Sequence, residues 1–83
     1  MNNDTFEIRI TDTIVTAYSH IRGNRLKYGD MYIARRNGGW QLGKCYKVDH
    51  ENNYVMSDPP GKLYSYNYEE CFKVKDIVVL PNF

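Results

Sequence analysis

The side chains able to do acid–base, nucleophilic or metal chemistry are few in this 83-residue chain, and their spacing does not group them. His20 and His50 are the only imidazoles. Each falls in a turn or at a strand end, with no nucleophile motif or metal-type spacing beside it, so each is expected to be solvated. Cys45 and Cys71 have 25 residues between them and no C-x-x-C pair, which does not match a zinc site. Both lie in apolar strand-like stretches, where a thiol acts as a small hydrophobe, and buried free thiols are expected. Glu69 and Glu70 are adjacent, so on a strand they point apart and on a helical turn they do not face each other as an acid/base pair must. There is no GxGxxG, P-loop or nucleophile elbow, and Gly38-Gly39 alone reads as a turn. The sequence points away from an enzyme and implies neither a cofactor nor a metal.

Binding chemistry is better represented. Eight tyrosines raise the aromatic share to 14%. In the run 63–68 three of them, Tyr64, Tyr66 and Tyr68, recur two residues apart; strand geometry puts them on one face, with Leu63, Ser65 and Asn67 on the other. Tyr and Trp supply rigid amphipathic contact area, so these three with Trp40 and Tyr54 form a candidate protein-docking patch. If Tyr64 and Tyr66 instead fill the core, the docking surface must lie elsewhere.

A second set lies between His20 and Arg36. There Arg22, Arg25, Lys27, Arg35 and Arg36 face one acid, Asp30, and are interleaved with Tyr28 and Tyr32, with Trp40 just beyond. That mixture suits phosphate attraction with base stacking, and Arg22, Arg25, Lys27, Tyr28, Arg35 and Arg36 are the candidate single-stranded RNA or DNA contacts. Period-two geometry nevertheless sends Arg35 and Arg36 to opposite faces. The same aromatics and arginines could line a pocket in which a homo-oligomer sequesters a nucleotide. Salt-steep affinity would mark nucleic-acid binding, salt-resistant affinity docking, and a melting temperature raised by nucleotide sequestration.

The charge balance, +1 overall, excludes a uniformly basic tail-type nucleic-acid binder. The distribution is uneven: residues 1–47 carry eight basic and four acidic side chains, and residues 48–83 carry three and six. Such a dipolar chain can present an anion-attracting face, or pair its halves internally or across a dimer. No secretory signal and no run of apolar residues long enough for a spanning helix is present, so a cytoplasmic, reducing location is expected, without membrane contact.

The elements that must position these residues are strands. Phe6, Ile8 and Ile10 alternate with charges, Thr11-Asp12 reads as a turn, and Thr13–Tyr18 is a β-branched strand. A helix over 12–21, capped by Asp12 with Ile14, Tyr18 and Ile21 on one face, is the competing reading. Gly23-Asn24 suits a type II′ hairpin turn, and Asn37-Gly38-Gly39 is the clearest reversal in the chain. Between them Met31–Arg35 is a strand, and Trp40–Val48 follows as another. Within the latter Gly43 marks a bulge or close approach, and Tyr46 and Val48 share a face. His50–Asn53 is a polar turn, Tyr54–Ser57 a strand and Asp58–Gly61 a proline loop. Glu69-Glu70-Cys71 makes one helical turn before Phe72–Val74, and the apolar run Ile77–Leu80, ended by Pro81, reads as a strand buried on both sides.

Six or seven short strands at regular spacing, without βαβ alternation, specify a single all-β domain over 1–83, either an antiparallel barrel or a strongly bent sheet. The order of Trp40–Val48, a polar turn, Tyr54–Met56, a Pro-Gly loop, Leu63–Tyr66, an acidic turn and Cys71–Val74 resembles an SH3-like small barrel. The resemblance covers residues 29–80 and implies a barrel core over 29–83, with residues 1–28 as an N-terminal strand or hairpin extension. No ALYDY-like segment or paired Trp-Trp is present, so polyproline recognition is not implied. The short Tyr- and Asn-rich chain is also similar in style to bacteriophage-encoded accessory proteins, which implies a non-enzymatic protein that docks on a host or phage macromolecule to inhibit or modify it.

Overall fold

The computed structural model describes residues 4–57 and 64–81, and the expected proline loop at 58–61 lies outside them. The fold is all-β. Its strands are β1 (Thr5–Ile10), β2 (Thr13–Arg22), β3 (Met31–Arg36), β4 (Gly39–Asp49), β5 (Tyr54–Ser57), β6 (Tyr64–Asn67) and β7 (Cys71–Val79). Short 3-10 turns occupy Gly23–Arg25 and Tyr68–Glu70. Every pairing is antiparallel, in the order β1-β2-β7-β3-β4-β5-β6, and the sheet does not close into a barrel.

Residues 12–21 belong to a turn and β2 rather than to a helix. Stiff β-branched side chains at Thr13, Ile14, Val15 and Thr16 suit a pleat lying between β1 and β7. Asn37 and Gly38, at φ 54° and 79°, form the two-residue type I′ reversal between the paired Arg36 and Gly39. In the 50–53 turn Asp49 accepts hydrogen bonds from the Asn52 side-chain amide (2.8 Å) and from the Asn52 and Glu51 backbone N–H groups (3.2 and 3.0 Å), which hold its carboxyl below the usual value.

Three local expectations are corrected. Gly23-Asn24 does not close a hairpin, because β7 lies between β2 and β3. Gly23 is instead a contact point: a Cβ there would lie 2.5 Å from Tyr68 Cβ and 2.7 Å from the Tyr68 backbone. The end of β7 is not buried on both sides. β3 pairs only with Cys71–Lys73, so the rest of β7 has β2 on one edge alone, and Val78 and Val79 are 51% and 66% exposed. Finally, Tyr46 and Val48 do not share a face. Cys45 and Val48 both pack inward, which in a strand requires one extra residue; the register slips between Cys45 and Lys47, and Tyr46 is turned out.

Apolar clusters form on both sides of β3. Leu26, Tyr32, Ala34, Cys45, Val55, Tyr66 and Cys71 make one, with Val48 and Tyr68 against it. Val15, Ala17 and Ile33 make the other, against half-buried Phe6, Ile8, Ile10, Trp40, Phe72 and Val74. Consecutive Tyr32, Ile33 and Ala34 are therefore all fully buried, as period two requires of a strand covered on both faces. Gly43 lets the Tyr32 ring approach: a Cβ there would lie 3.1 Å from the ring and 3.1 Å from Ser57 Oγ. Cys45 and Cys71 are buried free thiols; burial raises both, Cys71 to about 12.

The sheet bends strongly. In a flat sheet β1 and β4, with three strands between them, would stand about 19 Å apart, yet the Phe6 and Trp40 ring centroids are 6.0 Å apart.

Candidate binding surfaces

The tyrosine stripe does not form a displayed patch. Tyr66, 8% exposed, belongs to the first apolar cluster, meets the Tyr32 ring edge-on at 6.1 Å, and donates its hydroxyl to Gln41 Oε1. Tyr68 is half-buried against the same cluster, and Tyr54 is exposed on β5. Tyr64 stands opposite Ser57 in the β5–β6 register, and its side chain lies outside the described residues. Trp40 packs in the second cluster, across the sheet from Tyr66. Among the described side chains proposed for docking, Tyr66 and Tyr68 thus lie on one face and Trp40 on the other.

What the fold assembles around Trp40 is a different set. Phe6 from β1, Trp40 from β4 and Phe72 from β7 are mutually packed, with centroid separations of 6.0, 5.2 and 5.9 Å and tilted or edge-on planes, the arrangement the ring quadrupoles favour. Sequence reasoning missed Phe6 and Phe72 as partners of Trp40. Only the β1-β2-β7-β3-β4 order brings them together, and no local spacing encodes that order.

The basic set is also redistributed. Arg22 lies over the Phe72 ring (4.5 Å) while its Nη1 donates to the Glu69 carbonyl (2.8 Å), and Arg35 lies over Trp40 (5.8 Å). Both guanidiniums therefore rim the triad. Arg36 sits on the opposite face over Tyr66 (5.6 Å), as alternation predicts. Arg25 is exposed in the first 3-10 turn, and Lys27 and Tyr28 lie in the turn before β3. Residues 22–36 form neither one hairpin nor one patch.

Alternation along β1 and β2 turns Glu7 and Thr16 away from the triad, and the register shift in the β2–β7 ladder sets Asp76 opposite Thr16 on that far side; Arg22, Arg35 and Lys44 are cations of the triad's side, and Asp4 lies at its β1 corner. His20 meets Tyr18 edge-on at 5.8 Å, and His50 is exposed in its turn. Among the described residues no group of His, Cys, Asp and Glu is placed to hold a metal ion, and no helix is long and apolar enough to cross a membrane. A comparison with protein-family models finds no match, and neither does one with curated proteins or with solved structures.

Proposed function

We propose that this chain is a non-catalytic cytoplasmic docking protein, of the accessory kind that bacteriophages encode, which binds a partner protein through the Phe6–Trp40–Phe72 face. The SH3-like reading of residues 29–80 is part of the proposal. Its support is the order β7-β3-β4-β5-β6 with a 3-10 turn just ahead of β7.

The observation that carries the docking reading is an aromatic triad left half-buried on an open sheet, with two guanidiniums stacked at its margin. Tryptophan and arginine are the residue types that most often dominate interface energetics, and a guanidinium already lying over an aromatic ring is pre-organised for a bidentate carboxylate. An acidic segment bearing an apolar anchor is the complementary partner.

Arg35 is exposed, so Arg35→Glu tests the face without disturbing the core. A protein captured stoichiometrically by the native chain, then purified and titrated calorimetrically, should bind Arg35→Glu at least about tenfold more weakly, since reversing this charge sets like charges against each other at the contact with an acidic partner. Equal affinity for the two forms would sink the assignment of this face.

A further inference from the structure

A second surface, further along β4 from the triad, displays two exposed aromatic rings that belong to neither apolar cluster. Lys27 to Asp30 forms a tight turn in which the Asp30 N–H donates to the Lys27 carbonyl (3.0 Å), Asp30 Oδ2 accepts from the Lys27 N–H (2.9 Å), and Gly29 has φ 92°. A positive φ at the third position is the type II arrangement, which puts Tyr28 at the corner. Hydrogen bonds from Gly29 N–H to the Cys45 carbonyl (2.8 Å) and from Cys45 N–H to the Asp30 carbonyl (2.7 Å) tie this turn to β4 beside the bulge at Tyr46. The two devices bring Tyr28 and Tyr46 edge to face at 6.0 Å, and leave them 75% and 43% exposed. Rings so exposed contribute little to the core, yet turn and bulge hold them in a fixed relation.

The electrostatics around the pair are cationic. Lys27 opens the turn, Lys44 and Lys47 flank Tyr46, and all three are exposed. The ion pair formed by the described residues joins Lys73 to Asp30 (3.9 Å) and leaves these lysines without an acidic partner among them. The nearby carboxylates are otherwise engaged: Asp30 serves Lys73 and the turn, and Asp49, which feels Lys47, caps the 50–53 turn. Paired exposed rings flanked by exposed lysines match a ligand that carries both flat faces and regularly spaced negative charge.

We infer that Tyr28 and Tyr46 form a stacking platform for the bases of single-stranded nucleic acid, with Lys27, Lys44 and Lys47 neutralising its phosphates. The platform uses Lys27 and Tyr28 of the sequence-derived basic set and replaces its arginines with three residues of β4. It adjoins the docking face along β4 and shares Lys44 with that side, but its rings are different, so Arg35→Glu tests the docking face while Tyr28→Ala and Tyr46→Ala test the platform.

The test is fluorescence anisotropy of labelled oligo-dT and oligo-U of about ten nucleotides, with a duplex of equal length, titrated with the full chain at several salt concentrations. The single strands should bind more tightly than the duplex, with a log–log salt slope of about −2 for three phosphate contacts. Tyr28→Ala and Tyr46→Ala, both at exposed positions and checked by circular dichroism, should each weaken binding by about tenfold or more. Lys44→Gln and Lys47→Gln should each reduce the slope by about 0.7, and Arg36→Gln, across the sheet, should leave it unchanged. No binding at the lowest salt would overturn the inference and leave the rings as a protein contact. So would duplex binding as tight as single-strand binding, or affinity that survives both tyrosine variants. A preference for RNA or for DNA would identify the source of the ligand within the same class.

Discussion

At the scale of the residue, Tyr66 shows how one side chain can serve two environments. Its ring fills the cluster between β3 and β5–β6, its hydroxyl is satisfied by Gln41, and Arg36 covers the ring from outside. Tyr66→Ala should therefore cost about 3–5 kcal/mol, as core aromatic truncations do, whereas Tyr66→Phe, which loses only the hydrogen bond, should cost about 1 kcal/mol. Urea denaturation of both variants measures the difference; an alanine variant as stable as the phenylalanine one would show that the ring is not core. Period two was sufficient to group Tyr64, Tyr66 and Tyr68, but a pleat has two equivalent sides until a neighbour covers one. The cover over Tyr66 comes from Tyr32 and Val55, residues 34 and 11 positions earlier in the chain. The burial of the two thiols follows from cysteine's character as a small hydrophobe and from the cover of the first cluster, since alternation alone would group Cys45 with Gln41, Gly43 and Lys47, and Cys71 with Lys73 and Lys75.

At the scale of the element, the glycines separate what local sequence decides from what tertiary packing decides. Asn37-Gly38 was legible because a dipeptide that tolerates positive φ at both positions selects the type I′ turn without outside help. Gly23 has similar neighbours and a different purpose, a backbone-to-backbone approach between the two 3-10 turns, which depends on Tyr68 arriving from 45 residues away. Gly23→Ala should accordingly destabilise the fold by about 3 kcal/mol through overpacking against Tyr68. Gly29→Ala, with φ 92° and nothing within 4 Å of the new methyl group, should cost only the strain of a left-handed residue, about 1–2 kcal/mol. Chemical denaturation of both variants checks the ranking, and the reverse order would mean that the two 3-10 turns are free to separate. The bulge at Tyr46 was hidden for a related reason. Trp40 to Val48 reads as an uninterrupted strand, and only the inward packing of both Cys45 and Val48 forces the extra residue between them.

At the scale of the whole molecule, the bent but open sheet leaves more surface than a closed domain of this mass would. The chain exposes 5932 Å², against about 5,200 Å² for a compact monomer of 9.8 kDa. Its radius of gyration is 12.7 Å, where about 12 Å is usual for this length. The extra surface follows from the topology: β3 is covered on both sides, whereas the sheet ends at β1 and β6, and the far half of β7 has a neighbour on one edge alone. Along β4, Trp40, Leu42, Lys44 and the bulged Tyr46 succeed one another on the side away from the first cluster, so the docking face and the stacking platform are neighbours on one strand. Trp40 is the single tryptophan and therefore a reporter of that surface in the intact protein. If the face is open, iodide should quench Trp40 fluorescence. The Arg35 guanidinium 5.8 Å from the ring should make iodide a better quencher than caesium at equal concentration, and Arg35→Glu should reverse that preference. A tryptophan shielded from both ions at high protein concentration and released on dilution would mean that a second copy covers the triad. Shielding at every concentration would mean that the chain covers Trp40 itself, and the partner would then have to be sought on another face.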